Sequence, residues 1–112
     1  MKIIYNKLVR DKIPEIIEKS GKICSCSIIE EKDKEFYLKE KLKEETKEFL
    51  EAKDEKEKLE ELVDLETVIR ALVKYYSLYS DYGFDMKVKD KILSKGNFDK
   101  FIKLDYVEDN KE

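Results

Sequence analysis

KEETKEFLEAKDEKEKLEELVDLETVI, residues 43–69, holds parts of two helices and the turn between them. The first helix is expected over 34–53, with Asp33 as its N-cap. The second is expected from about 57 to about 80, after the polar connection KDEKEK, which can also be read as a frayed helix end. In the first helix, Leu38, Leu42, Glu45, Phe49 and Ala52 recur at helical spacing and form an inward stripe. Glu45 lies inside that stripe. Glu48 follows three residues later, about 60° around the helix, so the two carboxylates are neighbours. Glu44 points about 100° away from Glu45. In the second helix, Leu62, Leu65, Ile69, Leu72 and Tyr76 make the stripe, broadened by Val68, Val73, Tyr75 and Tyr79. Glu61 falls within this wide face, Asp64 falls at its edge, and Glu60 points away.

Each helix of the hairpin therefore carries a carboxylate pair spaced i, i+3 at or near its buried face. Burying an unpaired carboxylate costs several kcal/mol, roughly, and favours its protonation. Four converging carboxylates are tolerable when a cation sits among them, and hard divalent cations such as Mg²⁺ take oxygen ligands. The same acids can instead form a solvated face, or they can pair with buried Lys or Arg.

The 112 residues suffice for one domain, expected over 1–107, with 108–112 as a mobile tail. Charged residues make up 46%, but 24 basic against 27 acidic residues leave a net charge of -3. That balance argues against a mainly electrostatic nucleic-acid binder. Three Gly, one Pro and abundant Glu, Lys and Leu favour helices over a turn-rich β fold. No apolar run approaches the roughly 18 residues of a membrane span. The N-terminus has neither a proper apolar h-region nor a small-residue cleavage site, and the cytoplasm is the expected location. The chain has no histidine, which removes His-based catalysis. Cys24 and Cys26 are two ligands short of a zinc site and read as reduced thiols.

Elsewhere, LVRDKIPEIIEKSG (residues 8–21) predicts a short helix with Pro14 in its first turn and Gly21 just past its end. Residues 22–29 are β-prone. YSDYG breaks the helical pattern, a helix over about 85–95 stops at Gly96, and residues 98–106 alternate as an extended segment does. The expected class is all-α: a helical hairpin with short flanking helices, forming a four-helix-type bundle on dimerisation, with short extended segments at 22–29 and 98–106. The apolar faces of the two long helices exceed what one hairpin covers, so a homodimer is expected, with a tetramer as the alternative.

EETKE at 44–48, followed after twelve residues by ELVD at 61–64, is E-E-x-x-E then E-x-x-D. This resembles the signature of the all-α nucleoside triphosphate pyrophosphohydrolases, the MazG-like superfamily. YNKLVRDKIPEII (5–17) and KDKILSKGNFDKFIKL (89–104) resemble the two ends of a small single-domain branch of predicted house-cleaning enzymes. The three pieces occur in the expected order and are spread over most of the chain, from residue 5 to residue 104. Lys95-Gly96-Asn97-Phe98 stands where relatives often have Arg-Gly-Gly-Phe; lysine keeps the charge and loses the bidentate fork.

The resemblance implies Mg²⁺-dependent hydrolysis of a nucleoside triphosphate between its α and β phosphates, on non-standard or surplus nucleotides, with Mn²⁺ able to replace Mg²⁺. It implies metal binding by Glu45, Glu48, Glu61 and Asp64, with one of these or Glu44 orienting the attacking water. Lys7, Arg10, Lys12, Lys91 and Lys95 become candidates for the triphosphate, and Phe98 for the base. Relatives assemble as dimers, which implies sites at or near subunit boundaries. Two alternatives are phosphoribosyl-ATP pyrophosphohydrolase, the same chemistry on another substrate, and a non-catalytic helical interaction protein whose tyrosine face binds a partner.

Overall fold

The computed structural model describes residues 1–76 and 80–109. The expected last turn of the second long helix (77–79, with Tyr79) and the end of the expected tail (110–112) lie outside the described residues. Four α-helices follow one another: α1 (Ile13–Lys19), α2 (Lys34–Glu51), α3 (Glu55–Tyr76) and α4 (Asp81–Lys95). No strand forms among the described residues. No helix among them is long and apolar enough to cross a membrane. Contacts divide the chain into two compact units, Met1–Leu78 and Tyr79–Glu112.

In the first unit, α1 has Pro14 at its first turn, and Gly21 follows it with φ +88°, a left-handed conformation that suits glycine. Residues 22–29 are neither helix nor strand, so the β-prone segment finds no partner strand. Cys24 and Cys26 are free thiols, their sulfurs 4.0 Å apart. Glu31–Asp33 form a 3₁₀ turn that runs directly into α2. Asp33 precedes α2 as expected, but its backbone is already helical and its side chain makes no cap bond. The α2 helix ends at Glu51, where Ala52 turns extended with ψ 139°.

A reciprocal pair of side chain–backbone bonds starts α3. The Asp54 carboxylate accepts the Glu57 N–H at 2.8 Å, and the Glu57 carboxylate accepts the Lys53 N–H at 3.3 Å. This is close to a capping box, and it starts α3 two residues earlier than the polar composition of KDEKEK suggests. Residues 52–54 thus fold α3 back against α2, the main helix pairing of the unit. At the open end of the hairpin, Glu35 at the start of α2 pairs with Tyr76 at the end of α3. The Tyr76 hydroxyl, and then Lys39, hold the Glu35 carboxyl below its usual range.

The stripe expected on α2 is the face it buries: Leu38 and Glu45 are buried, and Leu42, Phe49 and Ala52 partly so. On α3 the inward face is rotated from the expected stripe. Val68 is its buried residue, with Glu61, Asp64, Leu65, Leu72 and Tyr75 half-buried around it. Leu62, Ile69 and Tyr76 are exposed. Among the described residues, Leu38 and Val68 are the buried apolar ones, each worth about 2 kcal/mol of transfer free energy.

In the second unit, α4 begins at Asp81, four residues before the expected start. Ser80 is the reason: its hydroxyl accepts the Gly83 N–H at 3.1 Å, so SDYG is an N-terminal cap rather than a break. The helix stops at Gly96 as expected, at φ +85° and with its N–H on Ile92 O. The segment 98–106 is not uniformly extended. Residues 98–100 bend and turn, the Phe101 N–H reaches Phe98 O at 3.3 Å, and Phe101 itself has φ 49°.

Candidate metal centre

Glu45 comes from the middle of α2 and is 6% exposed. Glu61 and Asp64, one turn apart on α3, are half-buried. Each of the three offers a carboxylate oxygen, and these oxygens lie within 4.8 Å of one another. Hairpin closure makes this cluster, since the two helices contribute on either side of the turn. Glu45 Oε2 and Glu61 Oε2 are buried and have no hydrogen-bond partner. A buried carboxylate oxygen without a donor is costly to maintain. Desolvation, followed by the adjacent carboxyls of Glu45 and Glu48, pushes Glu61 up to about 7. Oxygen donors, mutual repulsion and two orphaned atoms together suit a metal ion, with no nitrogen or sulfur ligand in the set.

Glu48 stands beside this triad rather than in it. Its side chain is exposed. Desolvation and then the Glu45 and Glu44 carboxyls raise its proton affinity, while contact with Glu61 works the other way. Glu44 has both oxygens engaged: Lys7 Nζ donates to Oε1 at 2.9 Å and Lys41 Nζ to Oε2 at 2.8 Å. Desolvation pushes the Glu44 carboxyl up, but the two lysines outweigh it and hold the group below its usual range.

Two of the expected cations reach the acids from the N-terminal segment. Lys7 binds Glu44, as above. Arg10 Nη2 lies 2.8 Å from Asp64 Oδ1 and 3.2 Å from Thr67 Oγ1. The Thr67 hydroxyl donates back to Val63 O at 3.0 Å, so it offers Arg10 a lone pair. Lys12 is exposed at the N-cap of α1 and makes no ion pair among the described residues. Lys91, Lys95 and Phe98 belong to the second unit. All three are exposed, with Lys95 in the last turn of α4.

The sequence reading missed Lys41 and Thr67. Lys41 precedes Glu44 by three residues and Glu45 by four, the spacing at which helical side chains meet, so the signal was present. Lys41 is the half-buried cation that charge pairing of the inward acids calls for, yet it takes only one oxygen of Glu45, Oε1 at 3.3 Å. Thr67 carries no such signal, because its partner is 57 residues away. Comparison with protein-family models, with curated proteins and with solved structures returns no match for this chain, so the acidic centre of the α2–α3 hairpin is itself the ground for any functional reading.

Proposed function

We propose that this chain is a MazG-like nucleoside triphosphate pyrophosphohydrolase that cleaves the α–β phosphoanhydride and releases a nucleoside monophosphate and pyrophosphate. The observation that carries the proposal is the convergence of Glu45, Glu61 and Asp64 with two buried, partnerless oxygens. The resemblance of the ordered segments at 5–17, 44–64 and 89–104 to that superfamily supports the same reading. Glu45, Glu61 and Asp64 would hold Mg²⁺, with Glu48 beside them. When bound, the ion supplies positive charge for the phosphate oxygens and makes water more acidic.

The chain's own groups do the rest. Arg10 stands at the acids with a planar fork suited to two phosphate oxygens, and Lys7 adds a second cation. Glu48 is exposed and outside the triad, which leaves its carboxylate to accept a hydrogen bond from the attacking water. Glu44 is spent on two lysines and keeps Lys7 at the site. A second copy covering Leu62, Ile69 and Tyr76 would make the hairpins a four-helix core, and light scattering should read the mass of two chains.

The test is pyrophosphate release from a panel of standard and non-standard nucleotides, with phosphoribosyl-ATP included, in Mg²⁺. At least one nucleoside triphosphate should be hydrolysed. Glu45→Gln and Asp64→Asn should each lower the rate by about 100-fold or more, since even partners outside the ligand shell are worth up to that. No release from any nucleotide, or release indifferent to both substitutions, overturns the proposal. Release from phosphoribosyl-ATP alone reassigns the substrate.

A further inference from the structure

Lys41 sits one turn before Glu45 on α2, and its side chain is only 16% exposed. Lysine ordinarily keeps its ammonium in water, so this burial must be offset by partners. Glu44 Oε2 at 2.8 Å and Glu45 Oε1 at 3.3 Å are those partners. Desolvation pulls the Lys41 ammonium toward deprotonation, but the two carboxylates outweigh it and keep the charge in place. Lys7 completes the row from outside by taking the other oxygen of Glu44. The row Lys7–Glu44–Lys41–Glu45 therefore ends on one oxygen of Glu45, and the other, Oε2, is buried without a partner.

We propose that Lys41 is a positioning residue for the acidic centre: by holding Glu45 Oε1 it fixes the carboxylate beside Glu61 and Asp64 and leaves Oε2 free for an ion. The inference rests on the metal reading of the site, and it adds a residue that touches neither the ion nor the substrate. A glutamate side chain has several rotatable bonds, and ordering them before an ion arrives removes part of the entropic cost of binding. Lys41 also has an opposite effect. As a bare positive charge close to the centre it repels a cation, so simple charge removal should tighten metal binding. The two roles predict opposite signs for the same substitution.

The experiment uses the full chain with Mn²⁺ alone, without nucleotide, and reads affinity by calorimetry and by the electron paramagnetic resonance signal of free Mn²⁺. Lys41→Met keeps the length and helix preference of the side chain and removes its ammonium. It should weaken Mn²⁺ binding about 10- to 100-fold, the range found when an outer partner of a metal ligand is removed. Lys41→Arg, which can still reach both carboxylates, should recover most of that loss. Lys41→Gln is judged by the same criterion as Lys41→Met, and circular dichroism of each variant without metal establishes that its helices are intact. Affinity in Lys41→Met and Lys41→Gln equal to or tighter than that of the parent overturns the inference. A parent chain that binds Mn²⁺ but hydrolyses no nucleotide removes the proposed activity and leaves Lys41 to be judged on Mn²⁺ affinity. A parent that binds no Mn²⁺ overturns both.

Discussion

The α2 side and the α3 side of the acidic centre neutralise their carboxylates by different means. On α2 the countercharge of the buried acid, Glu45, is local, while Lys7 reaches the neighbouring Glu44 from 37 residues away. Lys41 and Glu45 are one turn apart on the same helix, and both are largely out of water. On α3 it comes from far along the chain. Arg10 reaches Asp64 across 54 residues, with half of its side chain in solvent (52%). A buried pair on one helix moves only with that helix, and each partner is costly to leave alone. A half-exposed pair is weakened by solvent and exchanges partners readily. The two sides differ in exposure: α2 holds its acid with a largely dehydrated partner, and α3 holds Asp64 with a half-exposed one.

That contrast can be broken most directly at the Lys41–Glu45 pair. Without metal, the α2 side keeps a carboxylate oxygen buried for no structural return. Replacing the pair as a whole, Lys41→Met together with Glu45→Met, should therefore stabilise the fold in chelator, by up to the roughly 1–4 kcal/mol seen when a buried ion pair gives way to apolar residues, read as a higher melting temperature. The same variant should lose any stabilisation by Mn²⁺. A lower melting temperature in chelator would mean that the pair supports the fold rather than a site.

The second prediction concerns pH on the α3 side. Glu61 titrates at about 7 in the folded chain against an ordinary value of 4.5. Folding therefore binds its proton more tightly, so its contribution to stability is full below 4.5 and is lost as pH rises through about 7. Melting temperature of the metal-free protein, compared between parent and Glu61→Gln across that window, should show the parent falling relative to the variant. Glu44 and Glu35, both held below their usual range, slope the other way in both proteins and cancel in the comparison. A parallel pair of curves would remove Glu61 from the crowded centre.

The smallest effect on stability is expected at Arg10. Arg10→Ala should cost less than about 1 kcal/mol by thermal melting, because its pair with Asp64 is exposed. Its apparent KM for a hydrolysed nucleotide should nevertheless rise about 10-fold or more, the worth of a hydrogen bond to a charged group. A large loss of stability with unchanged KM would make Arg10 a strut and erase the difference between the two sides.

What the sequence made legible follows the same division. On α2 a narrow stripe leaves one inward face, and the helix buries that face with Glu45 in it. On α3 the apolar arc is wide, so helical period alone leaves the rotation open. Packing against α2 selects Val68 and brings Glu61 and Asp64 inward, while Leu62, Ile69 and Tyr76 stay exposed. Lys41 obeyed a local spacing rule and could have been named. No local rule links Arg10 to Asp64; only the resemblance of the N-terminal segment marked Arg10. The start of α4 was misplaced for a related reason: a serine cap outweighed a glycine that composition reads as a breaker.

The bonds among Lys53, Asp54 and Glu57 are more than a helix start. They fix the first turn of α3, and Glu61 follows Glu57 by one further turn. The distance from this clasp to the acids is therefore a mechanical dimension of the molecule. Residues added before Lys53 leave the clasp and the acids in step with each other. One residue added between Glu57 and Glu61 swings every later acid about 100° around the axis. The helix would survive that insertion and the centre would not, so this one-turn interval is where the length of the chain, rather than its composition, is under constraint.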